Sequence, residues 1–341
     1  MSKVEKGKAY AAAGVDIELG NRLKKGLQER VRSTHGPEVL GRIGGFGGLF
    51  SANFKGIKEP VLVSSIDGVG TKLKIAIALG KHTTVAQDLV NHCIDDIAVT
   101  GARPLFFLDY IGADRLDPVI FNQLISGFTK ACKEGGCALI GGETAQLPEM
   151  YHSGEYDLAG CIVGLVDRTR ILDGRRIVPS DRLIGLPSNG LHTNGYTLAR
   201  KILLDRMGLD LLQKVDGLAK PLGNELLRVH RNYQPVMSSI PPGRIKGAAH
   251  ITGGGLIDNL PRILPTACDG LVNTSSWTVP PIFRLIQRGG DISRDEMYQV
   301  FNMGIGMVLV VSESHASEVL SQTKGKLIGQ ITAGSGKVLL V

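Results

Sequence analysis

The stretch PVLVSSIDGVGTKLKIA, residues 60–76, predicts a strand, a tight glycine turn and the beginning of a helix. Residues 60–66 are apolar and rich in β-branched side chains, a composition typical of a buried strand. The helical pattern begins at Thr71, so Asp67 lies in the turn just after the strand. Because ligands of open α/β sheets bind beyond the carboxyl ends of the strands, we expect Asp67 to lie at a ligand site.

The glycine turn does not have the spacing of a phosphate-binding loop. A Walker A motif reads G-x-x-x-x-G-K-[ST], which leaves enough backbone between its glycines to wrap phosphates. Here Gly68 and Gly70 are only two positions apart, and Thr71 precedes Lys72 instead of following it. The turn is therefore not a Walker A motif.

A carboxylate in such a turn can still meet a phosphate through a cation. Mg²⁺ takes one or two carboxylates together with phosphate oxygens, so Asp67 is a candidate Mg²⁺ ligand. Lys72 or Lys74 would then offset charge on a transferred phosphoryl group. An ordinary Asp-Gly turn at the start of a helix is the alternative that this segment leaves open.

The next predicted helix, residues 84–100, places polar residues at helical spacing on one face. Adjacent carboxylates are unfavourable together unless they are solvated or bound to a cation. A solvated polar face is the simpler interpretation of this helix alone, but together with Asp67 it favours a divalent-metal site. The residues at positions i, i+4, i+7 and i+8 are Asp88, His92, Asp95 and Asp96.

A glycine-rich segment, GGFGGLF at residues 44–50, offers free backbone N–H groups and close approach to a ligand. These properties suit a flap over phosphates, which we place at residues 41–50. The segment is not a dinucleotide fingerprint, because Phe50 occupies the third glycine position of G-x-G-x-x-G. The flap residues that would approach a phosphate are Gly44, Gly45, Phe46, Gly47 and Gly48.

Two further polar loops follow predicted strands. Glu143 comes after the strand CALI, where it is either a ligand contact or a cap at a helix start. His192 and Asn194 lie in the loop SNGLHTNGY. A helix is predicted to begin near Thr193 or Asn194, and its N-terminus can hold an anion. His192 titrates near neutrality and is a candidate proton carrier, although most isolated histidines are structural. His250 precedes three glycines in a similar setting.

Composition bounds the class of protein. The 341 residues are 43% hydrophobic and 21% charged, which suits a chain with two folded domains. The five cysteines form no C-x-x-C pair or zinc-ligand spacing, so we expect reduced core residues. The net charge of +7 permits nucleic-acid binding, but no long basic run supports it, and we expect no nucleic-acid partner. The N-terminus shows no signal-peptide pattern and no apolar run could span a membrane, so we expect a cytoplasmic protein.

Strand-like and helix-like segments alternate along both halves of the chain. Residues 117–136, which start with Asp-Pro and end on Gly, are predicted to form a helix. A charged segment with proline and glycine, residues 167–181, interrupts the apolar pattern. We therefore expect two α/β or α+β domains, residues 1–168 and 169–341.

Taken in order, the motifs of this chain resemble those of the aminoimidazole ribonucleotide synthetase family, whose members are phosphoribosylformylglycinamidine cyclo-ligases. The resemblance covers nearly the whole chain, and the order and spacing of the motifs make it specific. The motifs are YAAAGVDIELGN (10–21), GGFGGLF, PVLVSSIDGVGTKLKIA, GARPLFFLDY (101–110), GCALIGGETA, YDLAG, GLHTNGY, AHITGGG and FNMGIGM (301–307).

This resemblance implies an ATP-dependent reaction. Formylglycinamidine ribonucleotide would be cyclised to aminoimidazole ribonucleotide, with release of ADP and phosphate, through an iminophosphate. It also implies a homodimer in which N-terminal mixed sheets form a β-barrel-like core beside the active site. Asp67 and Asp96 match positions associated with Mg²⁺-nucleotide, and Asp95 stands where relatives commonly have Asn. The other matched positions, whose individual roles are inferred, are Gly68, Gly70, Thr71, Lys72, Glu143, His192 and Asn194.

Three other functions are alternatives to the cyclo-ligase reaction. Selenophosphate synthetase needs a reactive cysteine in a glycine-rich N-terminal segment, whereas the first cysteine here is Cys93 in a predicted helix. Thiamine monophosphate kinase shares part of the same motif arrangement. An RNA-binding protein, permitted by the basic composition, would show affinity that falls steeply with salt and no substrate-dependent ATP turnover.

Overall fold

The computed structural model describes residues 14–41 and 43–341, which form two α/β halves, each built on its own mixed sheet. The elements of the first half are α1 (Ile17–Arg32), β1 (Pro60–Gly68), α2 (Lys72–Leu79), α3 (Thr83–Ala98), β2 (Arg103–Ala113), α4 (Pro118–Gly135), β3 (Ala138–Gln146) and β4 (Tyr156–Asp167). Those of the second half are β5 (Arg182–Pro187), α5 (Tyr196–Arg200), α6 (Leu222–Leu226), α7 (Gln234–Ser239), β6 (Ile245–His250), α8 (Gly255–Asn259), β7 (Cys268–Val272), α9 (Pro281–Gly290), α10 (Arg294–Val300), β8 (Ile305–Val311), α11 (Glu313–Gln322), β9 (Lys326–Ala333) and β10 (Val338–Leu340).

The first sheet has the strand order β1-β4-β2-β3. Strand β4 is antiparallel to both β1 and β2, and β2 is parallel to β3. The carboxyl ends of β1, β2 and β3 therefore lie at one edge of the sheet. Asp67 and Glu143, which the sequence places after strands, both lie at this edge, inside the last residues of β1 and β3.

One face of this sheet is covered by α3 and α4. The other, which we call the open face, is exposed along β1 and carries Phe50 against Phe106 of β2. Along β1, more buried and more exposed side chains alternate. The outward residues Leu62 and Ile66 are 61% and 72% exposed. In register with Ile66 lies Cys161 of β4, which is in turn paired with Leu108 of β2. The open face is therefore largely apolar.

Helix bounds agree with the sequence pattern where local signals are strong. Helix α4 begins after Asp117, whose side chain accepts hydrogen bonds from the backbone N–H groups of Val119 and Ile120. It ends at Gly136, which adopts the left-handed conformation common at helix ends.

The second sheet has the strand order β10-β7-β9-β5-β8-β6. Its pairs are antiparallel except for β10 and β7. Every residue of β8 is buried, because this strand lies between β5 and β6 in the core of the second half. The segment between the two sheets, residues 168–181, falls inside the charged stretch seen in the sequence.

Helix α3 connects the two halves. Its apolar side packs on the first sheet, where Leu89 and Ile97 lie against Gly160 and Gly164 of β4. Its opposite side is also buried, since Asp88 and other polar residues of α3 contact the second half. The polar face of this helix is therefore largely buried, which excludes the alternative of a solvated face.

One alternative left open for Glu143 is excluded, and one helix start was predicted too early. Glu143 does not cap a helix, because β3 continues through Gln146. The helix after the loop SNGLHTNGY begins at Tyr196 and not at Thr193 or Asn194, and it changes to a π-helix at Lys201. Across the part of the chain that the structure describes, each helix is too short or too polar to cross a membrane.

Candidate active site

Asp67 and Asp96 lie together beside one histidine. Asp67 is at the end of β1, and Asp96 is on α3. The Nε2 atom of His92 is 2.8 Å from Oδ2 of Asp67 and 3.8 Å from Oδ2 of Asp96. Asp96 also accepts a hydrogen bond of 3.1 Å from the hydroxyl of Ser65. The strand-end carboxylate and one carboxylate of the next helix thus form a single charged site.

The second half of the chain supplies more of this site. His250, the last residue of β6, places Nδ1 2.9 Å from Oδ1 of Asp96. Its Nε2 atom is 3.0 Å from Nε2 of His230, which lies in the segment between α6 and α7. The ring of His192 stacks on that of His230 with centroids 4.1 Å apart. Four histidines therefore converge where the two halves meet.

Three of these histidines and a threonine form a continuous hydrogen-bonded chain between the two carboxylates, which we call the histidine chain. His92 Nδ1 is 2.7 Å from the hydroxyl oxygen of Thr193, and that oxygen is 3.3 Å from His230 Nδ1. In order, the histidine chain consists of Asp67, His92, Thr193, His230, His250 and Asp96.

The donors and acceptors of the histidine chain can be assigned. His250 donates from Nδ1 to the Asp96 carboxylate, so a neutral His250 accepts at Nε2 from His230. A neutral His230 then accepts at Nδ1 from the Thr193 hydroxyl. That leaves the Thr193 oxygen to accept from His92, which donates from both ring nitrogens and is cationic.

The pKa shifts agree with this assignment. Burial opposes the charged form of His92, but its hydrogen bond to Asp67 and the nearby charge of Asp96 outweigh burial and raise the pKa. Burial would likewise raise the pKa of Asp67, yet His92 lowers it. Burial also opposes ionisation of Asp96, but the hydrogen bond from His250 and the charge of His92 lower its pKa.

The pKa values of the three other histidines shift in the opposite direction. Burial lowers the pKa of His192 and of His230 well below the usual range, and the surrounding positive groups add to the effect. Burial also lowers the pKa of His250, although its bond to Asp96 acts against the shift. These three imidazoles are therefore neutral at pH 7.

Asp88 and Asp95 lie on the same helix but bind the backbone of the second half. Asp88 Oδ1 accepts from the backbone N–H of His230 at 2.6 Å, and Asp95 Oδ1 accepts from that of Tyr233 at 2.7 Å. Between them, the amide of Asn91 donates to the carbonyl of His230 at 2.8 Å. Burial raises the pKa of Asp95 well above its usual range. The acidic face of α3 is thus divided between a charged site and a structural contact.

Lys72 lies behind the charged site and is completely buried. Its Nζ atom is 2.7 Å from Oδ2 of Asp88, 2.9 Å from the carbonyl oxygen of His192 and 2.7 Å from that of Arg228. Three acceptors match the three donors of an ammonium group. This placement differs from the expected contact with a transferred phosphoryl group. Lys74, the other candidate, pairs with Glu155.

The rest of the DGVGTK turn lies close to the charged site. Gly68 donates its backbone N–H to Oδ1 of Asp67 at 2.7 Å. Gly70 has a φ of 68°, a left-handed conformation that favours glycine. The Thr71 hydroxyl is 2.9 Å from that of Thr197, so the turn also touches the helix that follows the His192 loop.

The glycine-rich segment is exposed and lies beside β3. Its base is closed by a hydrogen bond of 2.9 Å from the Leu40 N–H to the Leu49 carbonyl. Gly48 packs on Ile140, and a Cβ at this glycine would lie 2.7 Å from that side chain. Phe46 is fully exposed, and Gly44, Gly45 and Gly47 are exposed as well. Arg42, within the predicted flap, lies outside the described residues.

The remaining predicted residues surround the His192 loop or the sheet edge. His192 has a φ of 64° and is buried, and its Nδ1 atom makes no hydrogen bond within the described residues. A Cβ at Gly306 would lie 2.7 Å from His192 Cε1, so this position must be glycine for the ring to fit. Asn194 lies against Gly253 of the next glycine loop. Glu143 is exposed, and its carboxylate accepts only from the N–H of Thr144, at 2.8 Å, among the described residues.

The charged site has the ligand atoms for a divalent cation. The side chains of Asp67 and Asp96 are 40% and 24% exposed, so their oxygens remain accessible. Carboxylate oxygens with phosphate oxygens are the ligands that Mg²⁺ prefers. His92, Asp96 and His250 also offer atoms within 4.8 Å of one another. Asp95 belongs to a second group of this kind, with His230 and His250, that is fully buried.

Comparisons with known proteins agree with the motifs. Residues 55–166 match the family described as "AIR synthase related protein, N-terminal domain", and residues 178–341 match the corresponding C-terminal domain. The chain is 49% identical to the phosphoribosylformylglycinamidine cyclo-ligase of Geobacter metallireducens over 98% of this chain and 99% of that protein. It is 50% identical to that of Syntrophotalea carbinolica over 94% and 92% of the two chains. The chain belongs to the phosphoribosylformylglycinamidine cyclo-ligase family.

Solved structures share the fold of this family member at low sequence identity. A thiamine-monophosphate kinase from Stenotrophomonas maltophilia covers 92% of this chain with a TM-score of 0.66 and 18% identity; 95% of that protein is covered. Hydrogenase maturation protein HypE in complex with ATP covers 94% with the same TM-score and 17% identity; 90% of that protein is covered. At such identities the likeness shows a shared two-domain α/β fold.

Sequence patterns had not revealed two members of the histidine chain. His230 lies in the segment LLRVHRNY, which carries no motif, and its backbone N–H binds Asp88 of α3 beside the site. Thr193 lies inside a recognised motif, but its role depends on His92, more than 100 residues earlier. A sequence signal existed only for Thr193, whose neighbours His192 and Asn194 had been singled out.

Proposed function

We propose that this cyclo-ligase family member closes the imidazole ring of aminoimidazole ribonucleotide from formylglycinamidine ribonucleotide, with conversion of ATP to ADP and phosphate. The observation that carries this proposal is the meeting of Asp67, Asp96 and neutral His250 where the two halves of the chain join. Both 49–50% identical relatives carry the cyclo-ligase name.

The chemistry has two steps. The formyl oxygen of the substrate attacks the γ-phosphorus of ATP, which releases ADP and leaves an iminophosphate. The ring-closing nitrogen then attacks the formyl carbon, and the bond between that carbon and the phosphorylated oxygen breaks. Phosphate and a proton are released. Phosphorylation turns a poor leaving oxygen into a good one, so the protein mainly has to position the reactants and neutralise charge.

Asp67 and Asp96 are the residues proposed to hold Mg²⁺, and we keep Asp95 as a candidate only for the buried second group. When bound, Mg²⁺ supplies positive charge to the phosphate oxygens of ATP. His92 fixes the orientation of Asp67, and His250 fixes that of Asp96. Both carboxylates are therefore held ready in their ionised forms.

His192 and Asn194 are proposed to contact the reacting part of the substrate. The Nε2 atom of His192 lies 3.4 Å from the backbone N–H of Asn189 and accepts from it, which places the proton of the neutral ring on Nδ1. That N–H is buried and has no acceptor among the described residues. A hydrogen bond from it to the substrate would give His192 a direct role. We assign Lys72 no contact with the substrate, because its three donors already bind the protein.

The nucleotide is proposed to lie between the strand edge and the glycine-rich segment. Gly68, Gly70 and Thr71 flank Asp67, and Glu143 lies at the same edge of the sheet. Closure of the 41–50 flap would bring its backbone N–H groups to the phosphates. The proposed flap contacts are Gly44, Gly45, Phe46, Gly47 and Gly48.

We further propose a homodimer formed through the open face of the first sheet. Leu62 and Ile66 leave an apolar surface there that a second copy would cover, giving a barrel-like core of two sheets. Domain limits of 1–168 and 169–341, a cytoplasmic location and the absence of a nucleic-acid partner belong to the same proposal.

The test is release of ADP by the purified protein with Mg²⁺, with and without formylglycinamidine ribonucleotide. We expect ADP and aminoimidazole ribonucleotide to form in equal amounts, only when this substrate is present. Thiamine monophosphate is the control substrate, because a kinase with this fold acts on it. ATP turnover that does not depend on formylglycinamidine ribonucleotide would disprove the proposal. Phosphorylation of thiamine monophosphate would indicate a kinase activity instead.

A further inference from the structure

The Lys72–Asp88 ion pair lies at the junction of the two halves, where both side chains are fully buried. Lys72 is the first residue of α2, five positions after Asp67 and directly after the glycine turn. Asp88 is on α3, two turns before Asp96. The pair therefore links α3, which carries Asp96, to the start of the helix that follows the Asp67 turn.

On its other side, the pair binds the backbone of two segments of the second half. Lys72 donates to the carbonyls of His192 and Arg228, at 2.9 and 2.7 Å. Asp88 accepts from the N–H of His230 at 2.6 Å. Both segments are thus held by main-chain groups, independently of their side chains, and the side chains of His192 and His230 remain available at the site.

The contact with His192 occurs at a strained position. Its φ of 64° is sparsely populated by residues other than glycine, and such conformations persist only where the surroundings impose them. The next residue, Thr193, contacts His92 at 2.7 Å. A relaxed His192 backbone would move Thr193 away from the histidine chain.

We propose that Lys72 and Asp88 are a positioning pair, which holds the His192 loop and the His230 segment in register with Asp67 and Asp96 without touching the substrate. This inference rests on the proposed cyclo-ligase function. Lys72 acts through the carbonyl of His192, and Asp88 acts through the N–H of His230.

The chemistry of the pair explains why both charges are present. Removing the ammonium leaves a buried carboxylate and two carbonyls without their donor, which is strongly destabilising. Removing both charges is much less costly, since buried ion pairs can often be replaced by uncharged residues of similar size. Stability and positioning can therefore be separated by comparing a single variant with a double variant.

The experiment uses full-length Lys72→Met and the double variant Lys72→Met/Asp88→Asn. The amide introduced by Asp88→Asn retains an oxygen that can accept from the N–H of His230, and the methionine side chain fills the space of the lysine stem. Lys130→Met is the matched control, because Lys130 is exposed on α4 and pairs only weakly with Glu134 at 4.0 Å. For each protein, urea unfolding, kcat and the KM values for ATP and formylglycinamidine ribonucleotide are measured.

We expect the double variant to recover most of the stability that Lys72→Met loses, while its kcat stays about 100-fold below that of the parent protein. Its KM for ATP should change little, because neither residue lies at the nucleotide. Recovery of kcat together with stability would show a purely structural pair and overturn the inference. So would unchanged kcat in a folded Lys72→Met protein.

Failure of the proposed function gives a different result. In that case the parent protein and Lys130→Met would themselves release no ADP in response to formylglycinamidine ribonucleotide, and the positioning role would be overturned with it. If both are active, the comparison of the single and double variants decides the role of the pair alone.

Discussion

His230 and His250 meet through their Nε2 atoms at 3.0 Å, a contact that needs one donor and one acceptor. If both rings were protonated, two cations would face each other in a buried site. The contact therefore requires that at least one ring be neutral, in agreement with the lowered pKa of each. The geometry of the active site is consequently sensitive to pH.

We expect the metal-free protein to lose stability as the pH falls below about 6.5. Unfolded histidines take up protons near pH 6.5, whereas His192, His230 and His250 bind them only at lower pH in the folded state, so acid favours unfolding. His92, with its raised pKa, acts in the opposite direction, but it is one group against three. Each group contributes at most about 1.4 kcal/mol per pH unit.

Urea unfolding at a series of pH values, with a chelator present, measures this dependence. His230→Asn should reduce the slope below about pH 6.5, since it removes one of the three groups. His152→Asn, at an exposed histidine, should leave the slope as it is. A His230→Asn slope equal to that of the parent protein would contradict the assignment of a neutral His230.

Asp67→Asn and Asp96→Asn should each lower kcat by about 100-fold or more while the protein stays folded. An amide keeps the size of the side chain but removes the charge that would hold Mg²⁺. The Mg²⁺ concentration needed for half-maximal activity should also rise. Glu134→Gln, an exposed change on α4, is the control. Normal Mg²⁺-dependent turnover in either variant would exclude that residue as a required ligand.

His192→Asn should lower kcat by about 100-fold with little change in ATP affinity. Asparagine tolerates the left-handed backbone at this position, so the substitution removes the imidazole with little added strain. Nucleotide affinity measured without the second substrate separates the two effects. Equal losses in kcat and in ATP affinity would indicate that His192 binds the nucleotide instead.

Much of the fold followed from local pattern in the sequence. The strand at 60–66 and the helix between Asp117 and Gly136 carry periodicity or caps that act over a few residues, and the structure has them. Glu143 shows the limit of such signals. A polar residue after an apolar strand suggests a helix cap, but pairing with β2 extends the strand past it.

The division of the α3 carboxylates was beyond sequence reasoning. Asp95 and Asp96 are adjacent, and nothing local distinguishes the one that binds the Tyr233 backbone from the one that faces His92. The difference arises because the second half of the chain packs against one side of the helix. The contacts of Lys72 were beyond local pattern for the same reason, since two of its three acceptors, the carbonyls of His192 and Arg228, lie more than 100 residues away.

Ile66→Lys should convert the proposed dimer to a monomer. Ile66 is 72% exposed on the open face, where it pairs with Cys161 of β4, and a buried ammonium there would have no partner. Val119→Lys is the matched control, because Val119 is 64% exposed on α4, away from that face. Light scattering after size-exclusion chromatography should give half the parent mass for Ile66→Lys and the parent mass for Val119→Lys. A monomeric parent protein would disprove the proposed dimer. An Ile66→Lys protein that remains dimeric would show that the interface lies elsewhere.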